Sequence, residues 1–150
     1  MKSTYQVIKE AREILSNPNA WFKGGLEAGD GRVCAIGAVR KAAFGSPTVE
    51  PGDLDFELNG GQRRYYYDYD DRSYQSPNED LEMQVRKELM SCVPSELDDD
   101  SGYPVYISDV EDYNDYGSIT HADILRMFDC ALTHFKEAEE VVDGGNTYVK

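Results

Sequence analysis

The chain has 150 residues, 40% of them hydrophobic, with 29 Asp/Glu against 15 Lys/Arg and a formal net charge of −14. That length fits a single domain, residues 1–150, able to bury a modest core without staples. Such acidity argues against direct nucleic-acid binding and against anionic membrane surfaces, and no run reaches the roughly eighteen apolar residues of a membrane-spanning helix.

The N-terminus, MKSTYQVIKEAREIL, carries charges where a signal peptide needs an apolar stretch. Three widely spaced cysteines, Cys34, Cys92 and Cys130, read as free thiols of a soluble cytoplasmic protein. No Cys-x-x-Cys or Cys/His pairing suggests zinc, so neither a metal site nor a cofactor is expected.

The first predicted helix opens on Ser3, with Gln6 three residues on as a capping box. Val7, Ile8, Ala11, Ile14 and Leu15 follow as one apolar stripe, and Ser16-Asn17-Pro18 stops it. A second helix is predicted over 33–44. Val33, Ile36, Val39 and Ala43 form a bulky face; Cys34, Ala38 and Ala42, with Gly37 between the faces, allow a close neighbour. Gly45-Ser46-Pro47 ends it.

Between the second and third helices the pattern changes. Leu54 to Leu58 alternate, Asn59-Gly60-Gly61 turns, and 62–69 is rich in tyrosine, which reads as a β-hairpin. The third helix opens on Ser76-Pro77-Asn78-Glu79, presents Leu81, Val85, Leu89 and Cys92 on one face, and stops before Pro94. Residues 68–75 and 96–102 read as acidic loops, with a short strand at Val105-Tyr106-Ile107. The fourth helix has Thr120 and Asp123 as a capping box and Ile119 and Ile124 placed as a hydrophobic staple. Its apolar repeat runs from Ile124 to near Glu140. The fold class is therefore mainly α: a compact bundle of about four helices with an inserted β-hairpin and acidic loops, α+β overall, the insertions lying at 48–75 and 95–117.

Charge is unevenly spread over this frame. Residues 1–49 hold seven Lys/Arg and four Asp/Glu; 50–115 hold five against nineteen; 116–150 hold three against six. The middle segment alone carries an excess of fourteen negative charges.

Several landmarks together resemble an uncharacterised domain family of bacteria, notably actinobacteria, and their phages. They are Trp21-Phe22-Lys23-Gly24 after the first helix, the Asp30-Gly31 turn, Cys34-Ala35-Ile36-Gly37-Ala38 at the second helix, and Asn114-Asp115 before the Thr120-led helix. The likeness covers about two thirds of the chain and skips the acidic middle. It departs from the pattern in a short loop before Cys34 and in one cysteine where relatives often carry Cys-x-Cys. The resemblance implies a helical fold and no particular activity.

Candidate sites follow from residue chemistry. Cys34, near a helix N-terminus that lowers a thiol pKa, forms with His121 and Asp115 a conceivable nucleophilic set for a cysteine-dependent hydrolase or transferase; the same residues also serve as packing, surface and turn positions. Asn114-Asp115 reads either as a ligand position or as turn caps, and Trp21 as a plug between helices or a pocket anchor. The four glycines over 24–31 lack a Gly-Lys-Ser/Thr ending, and Asp53, Asp55 and Glu57 lack the glycine of an EF-hand loop. The favoured reading is a non-enzymatic interaction module. Its candidate contacts, Tyr65, Tyr67, Asp68, Asp70, Asp71, Asp98, Asp99, Asp100 and Asp112, face a basic protein partner, with inhibition of a nucleic-acid-binding protein by phosphate mimicry as the sharper version.

Overall fold

The computed structural model describes residues 1–52, 77–98 and 102–135. Its elements are α1 (Thr4–Ile14), a 3-10 turn (Pro18–Ala20), α2 (Ala35–Phe44), α3 (Pro77–Met90), β1 (Glu96–Asp98), β2 (Pro104–Tyr106), α4 (Val110–Asp115) and α5 (His121–Thr133). The fold is mainly α with a small two-stranded antiparallel sheet. Among the described residues no helix is long and apolar enough to cross a membrane.

Both expected capping boxes form. Ser3 Oγ accepts from Gln6 N–H while the Gln6 side chain accepts from Ser3 N–H, and Thr120 and Asp123 repeat the exchange at α5. Each box satisfies two of the donors that a helix start leaves orphaned, which sets where the helix begins. The stripe of α1 then buries Val7, Ile8, Ala11 and Leu15 completely. It packs on α2, α3 and α5.

Helix α2 starts two residues later than the periodicity predicts. Val33 is drawn into bridges with Trp21 and Glu27, and Cys34 becomes the N-cap. From Ala35 to Ala42 only Lys41 reaches the surface. The small-residue face has its expected consequence at Gly37, where an added Cβ would collide with the Leu26 carbonyl oxygen. Gly45 ends the helix in the left-handed region, φ +87°, a conformation that costs glycine nothing.

Leu81, Val85 and Leu89 bury the inner face of α3 as predicted. The acidic stretch after it is not all loop. Glu96–Asp98 pairs antiparallel with Pro104–Tyr106, Leu97 opposite Val105, because Leu97 and Ile107 both reach the core and draw the two arms together. The predicted hairpin over 54–69, the loop at 68–75 and the Ser76 cap lie outside the described residues. So do Asp53, Asp55 and Glu57.

A short helix, α4, forms where the sequence pattern predicts a loop. Asp109 accepts from Asp112 N–H and caps α4, which places Asn114 and Asp115 inside a helical turn rather than in a connecting loop. Ile119 and Ile124, the expected staple, are both buried. Helix α5 ends at Thr133 with His134 as its C-cap, short of the predicted end near Glu140; residues 136–140 lie outside the described residues.

Candidate functional site

Asn114 is a fully buried polar side chain on α4. Its Oδ1 accepts from the Trp21 indole N–H (2.6 Å) and from Ala35 N–H (3.0 Å), and its Nδ2 donates to Phe22 O (3.1 Å) and Asp115 Oδ1 (3.0 Å). Asp115 Oδ1 in turn accepts from Gly24 N–H at 2.9 Å. One amide therefore ties the Trp21–Gly24 step to the first turn of α2. Buried polar groups need such partners, and here all the donors and acceptors of Asn114 are used. The pair reads as a structural bolt, a role neither turn capping nor ligand binding anticipates.

Trp21 acts as the plug. It is half-buried against the core, its ring 5.9 Å from that of His121 and overlain by Lys23 Nζ at 5.7 Å. Lys23 also donates to Tyr116 O at 2.5 Å. His121 is not the unremarkable surface residue its position suggests, since its Nε2–H donates to Leu15 O at 2.6 Å and closes the end of α1.

The hydrogen bonds of Cys34, His121 and Asp115 all lead elsewhere. Cys34 Sγ accepts from Gly37 N–H at 3.3 Å and is 3% exposed. Burial pushes its thiol pKa up, more than the backbone N–H groups of Gly37 and Ile36 pull it down, and the charges of Asp115 and Glu111 add to the rise. The expected lowering by the helix N-terminus is thus overridden by desolvation. A buried, protonated thiol is a poor nucleophile.

Among the described residues, part of the acidic segment is tied into the fold by ion pairs. Arg40, 7% exposed on α2, is held by Glu82 (Nε to Oε1 2.6 Å) and Glu50 (3.2 Å). Glu82 also meets Arg86 at 3.3 Å, and Arg86 reaches Glu111 at 2.5 Å. This chain of alternating charge runs from α2 through α3 to α4. Burial works against the charge on Arg40 and Arg86, and the neighbouring carboxylates overcome it, so both guanidinium pKa values rise. Three of the nineteen carboxylates of 50–115 are thereby paired with these two arginines, and of the three Glu82 is buried.

Of the predicted partner contacts, Asp112 is exposed on α4, where its Oδ2 accepts from Ser108 Oγ at 2.6 Å. Tyr65, Tyr67, Asp68, Asp70, Asp71, Asp99 and Asp100 lie outside the described residues; Asp98 ends β1. The structure adds two aromatic positions. Tyr103 and Tyr106 stand 75% and 74% exposed beside the hairpin, Tyr106 opposite Glu96 in the register. The alternation that buries Ile107 and turns Tyr106 outward is the signal that points to Tyr106; Tyr103 lies just before β2, outside that pattern.

Two of the three cysteines are not free. Cys92, just past α3, and Cys130, on α5, form a disulfide with Cα atoms 5.9 Å apart, leaving Cys34 as the free thiol. The free-thiol expectation is therefore corrected for Cys92 and Cys130: 38 residues separate them in sequence, but packing of α3 on α5 brings them together. His134 joins this pair, with Nε2 3.8 Å from Cys92 Sγ and Nδ1 2.7 Å from Glu88 Oε2. The Cys/His pairing that the sequence spacing does not show is present in space.

No curated protein and no solved structure matches the chain. The model of a family described as a family of unknown function (DUF6197) matches residues 1–134, a span that runs across the acidic segment instead of skipping it, and the chain belongs to that family.

Proposed function

We propose that the chain is a non-enzymatic interaction module that binds a basic protein surface through its acidic, tyrosine-bearing segment. The observation that carries this reading is the exposure of Tyr103 and Tyr106 beside the β1–β2 hairpin, within the stretch that holds nineteen carboxylates. Leu97 and Ile107 anchor the hairpin to the core, so its two tyrosines are presented on a positioned support. Aromatic side chains supply the contact area that fixes a partner, while surrounding carboxylates speed its approach and set which partners are accepted. A protein of the cytoplasm fits this role. The narrower form is an inhibitor, of the kind phages direct at host proteins, whose Asp and Glu side chains take the place of nucleic-acid phosphates in a basic groove.

The test uses defined basic, nucleic-acid-binding proteins as probes, with affinity measured at low and at physiological salt. Tyr103→Ser with Tyr106→Ser leaves the net charge unchanged and so isolates the aromatic contribution. The expected result is saturable binding to a particular probe that weakens at least tenfold in the tyrosine variant and steeply with salt. Replacing Asp98, Asp99 and Asp100 by Asn should weaken it further at low salt. Equal binding of the tyrosine variant to every probe would leave only non-specific charge attraction and overturn the proposal.

A further inference from the structure

The geometry points to a redox-gated metal site: with the Cys92–Cys130 disulfide reduced, the two thiolates and His134 Nε2 bind a zinc-class divalent ion.

Two helical pairs build it. Glu88 lies in the last turn of α3 with Cys92 four residues on, just past the helix, and Cys130 lies in the last turn of α5 with His134 four residues on as its C-cap. Residues at that spacing share one helix face. The α3–α5 packing sets the two faces against each other. The Sγ atoms of Cys92 and Cys130 and a ring nitrogen of His134 all lie within 4.8 Å of one another. Tetrahedral zinc, with Zn–S of about 2.3 Å and Zn–N of about 2.0 Å, requires edges of roughly 3.5 Å between nitrogen and sulfur and roughly 3.8 Å between two sulfurs. The 3.8 Å from Cys92 Sγ to His134 Nε2 is within about 0.3 Å of the nitrogen–sulfur edge.

Glu88 supplies the second independent feature. Its carboxylate accepts from His134 Nδ1–H at 2.7 Å, which leaves the lone pair of the neutral ring on Nε2, on the side of the sulfurs. A carboxylate holding the far nitrogen of a metal-bound histidine orients the ring and raises its basicity. A structural disulfide alone has no need of this arrangement. Cys92 is half-buried while Cys130 and His134 are exposed, so both a reductant and an ion can reach the group. Buried Cys34 stays outside it.

The chemistry balances with a dithiol as reductant. It delivers two electrons and two protons, the S–S bond breaks to give two thiols, and the dithiol closes to its own disulfide. The incoming divalent ion then displaces the two thiol protons to solvent, and water completes the tetrahedron. Oxidised, the pair is a covalent clasp between α3 and α5; reduced and loaded, the same two helices are joined through the ion.

The test is a cobalt(II) titration, as a coloured stand-in for zinc, of the full chain reduced with a phosphine under inert gas. The expected result is one ion per chain, thiolate-to-cobalt charge transfer with tetrahedral visible bands, bleaching by zinc, and no such bands from the oxidised chain. Cys92→Ser with Cys130→Ser should abolish the charge transfer. Glu88→Gln should keep the bands and weaken binding by about 10- to 100-fold, the range for a lost outer partner. Circular dichroism checks that each variant is folded; if the double serine variant is not, Glu88→Gln and the oxidised wild type decide the matter. Absence of stoichiometric bands in the reduced wild type overturns the site, as do equal bands in the oxidised chain or undiminished affinity in folded Glu88→Gln.

Discussion

The indole N–H of Trp21 donates to Asn114 Oδ1 across 2.6 Å, although 93 residues separate the two in sequence. The same oxygen caps Ala35 N–H in the first turn of α2, and the amide nitrogen holds Phe22 O. Removing the side chain strands two N–H donors and a carbonyl in or near the interior. At about 1–3 kcal/mol for each buried group left unsatisfied, Asn114→Ala is expected to cost roughly 3–5 kcal/mol, read from urea unfolding. Asn114→Asp keeps the acceptor but sets a carboxylate against Asp115 Oδ1, and it should also destabilise. A loss below about 1 kcal/mol in the alanine variant would mean that water replaces the amide.

Arg40 and Glu82 should behave as one unit. Removing one partner of a buried ion pair typically costs about 3–5 kcal/mol, because the other charge stays buried alone, whereas replacing both by apolar residues is often neutral. Thermal unfolding of Arg40→Met, Glu82→Met and the double variant should therefore show the double variant more stable than either single one. Additive losses would remove the coupling.

Cys34 titration gives a pH signature. Its pKa is raised in the folded chain, so its contribution is complete below the ordinary thiol value and fades as pH rises from about 9 toward the folded value. The melting temperature of the oxidised protein should fall above about pH 9, and Cys34→Ala should delay that fall. Tyr113, raised by burial and by the nearby Asp123 charge, acts in the same direction above about pH 10. In the native reduced protein, thiol reagents should label Cys92 and Cys130 well before Cys34.

Reduction should lower stability measurably. For a loop of 38 residues, constraint of the unfolded chain contributes roughly 4 kcal/mol. Unfolding of oxidised and reduced protein, both with chelator present, should differ by up to that amount. If the two midpoints coincide, the clasp does not constrain the chain.

Gly37→Ala tests the close approach of α2 to the 21–27 segment. The new methyl would press on the Leu26 backbone, which has little freedom because Leu26 O also accepts from Cys34 N–H. Overpacking of this kind costs about 1–3 kcal/mol, despite the gain in helix propensity.

Much of the frame was legible because it rests on local chemistry. The capping boxes at Ser3 and Thr120, the stripes of α1 and α3, and the Gly45 stop are decided within a few residues. Periodicity places the start of the second helix slightly too early, because at Val33 it says nothing about the bridges to Trp21 and Glu27. Helix α4 leaves no sequence signal because its six residues offer too little periodicity to register, and Asp109 reads as one more acidic loop residue. Asn114, the Arg40–Glu82 pair and the Cys92–Cys130–His134 group all depend on helix packing across 38 to 93 residues of sequence. Spacing along the chain carries no signal for such meetings.

The Cys92–Cys130 bond also encloses β1, β2 and α4, with Tyr103 and Tyr106, in one covalent ring. A single protease cut anywhere between 93 and 129 leaves the oxidised molecule in one piece, with mass increased only by the added water. The same cut separates the reduced chain into two fragments. The surface proposed to meet a partner can thus be nicked without being shed, and its attachment answers to the thiol balance of its surroundings.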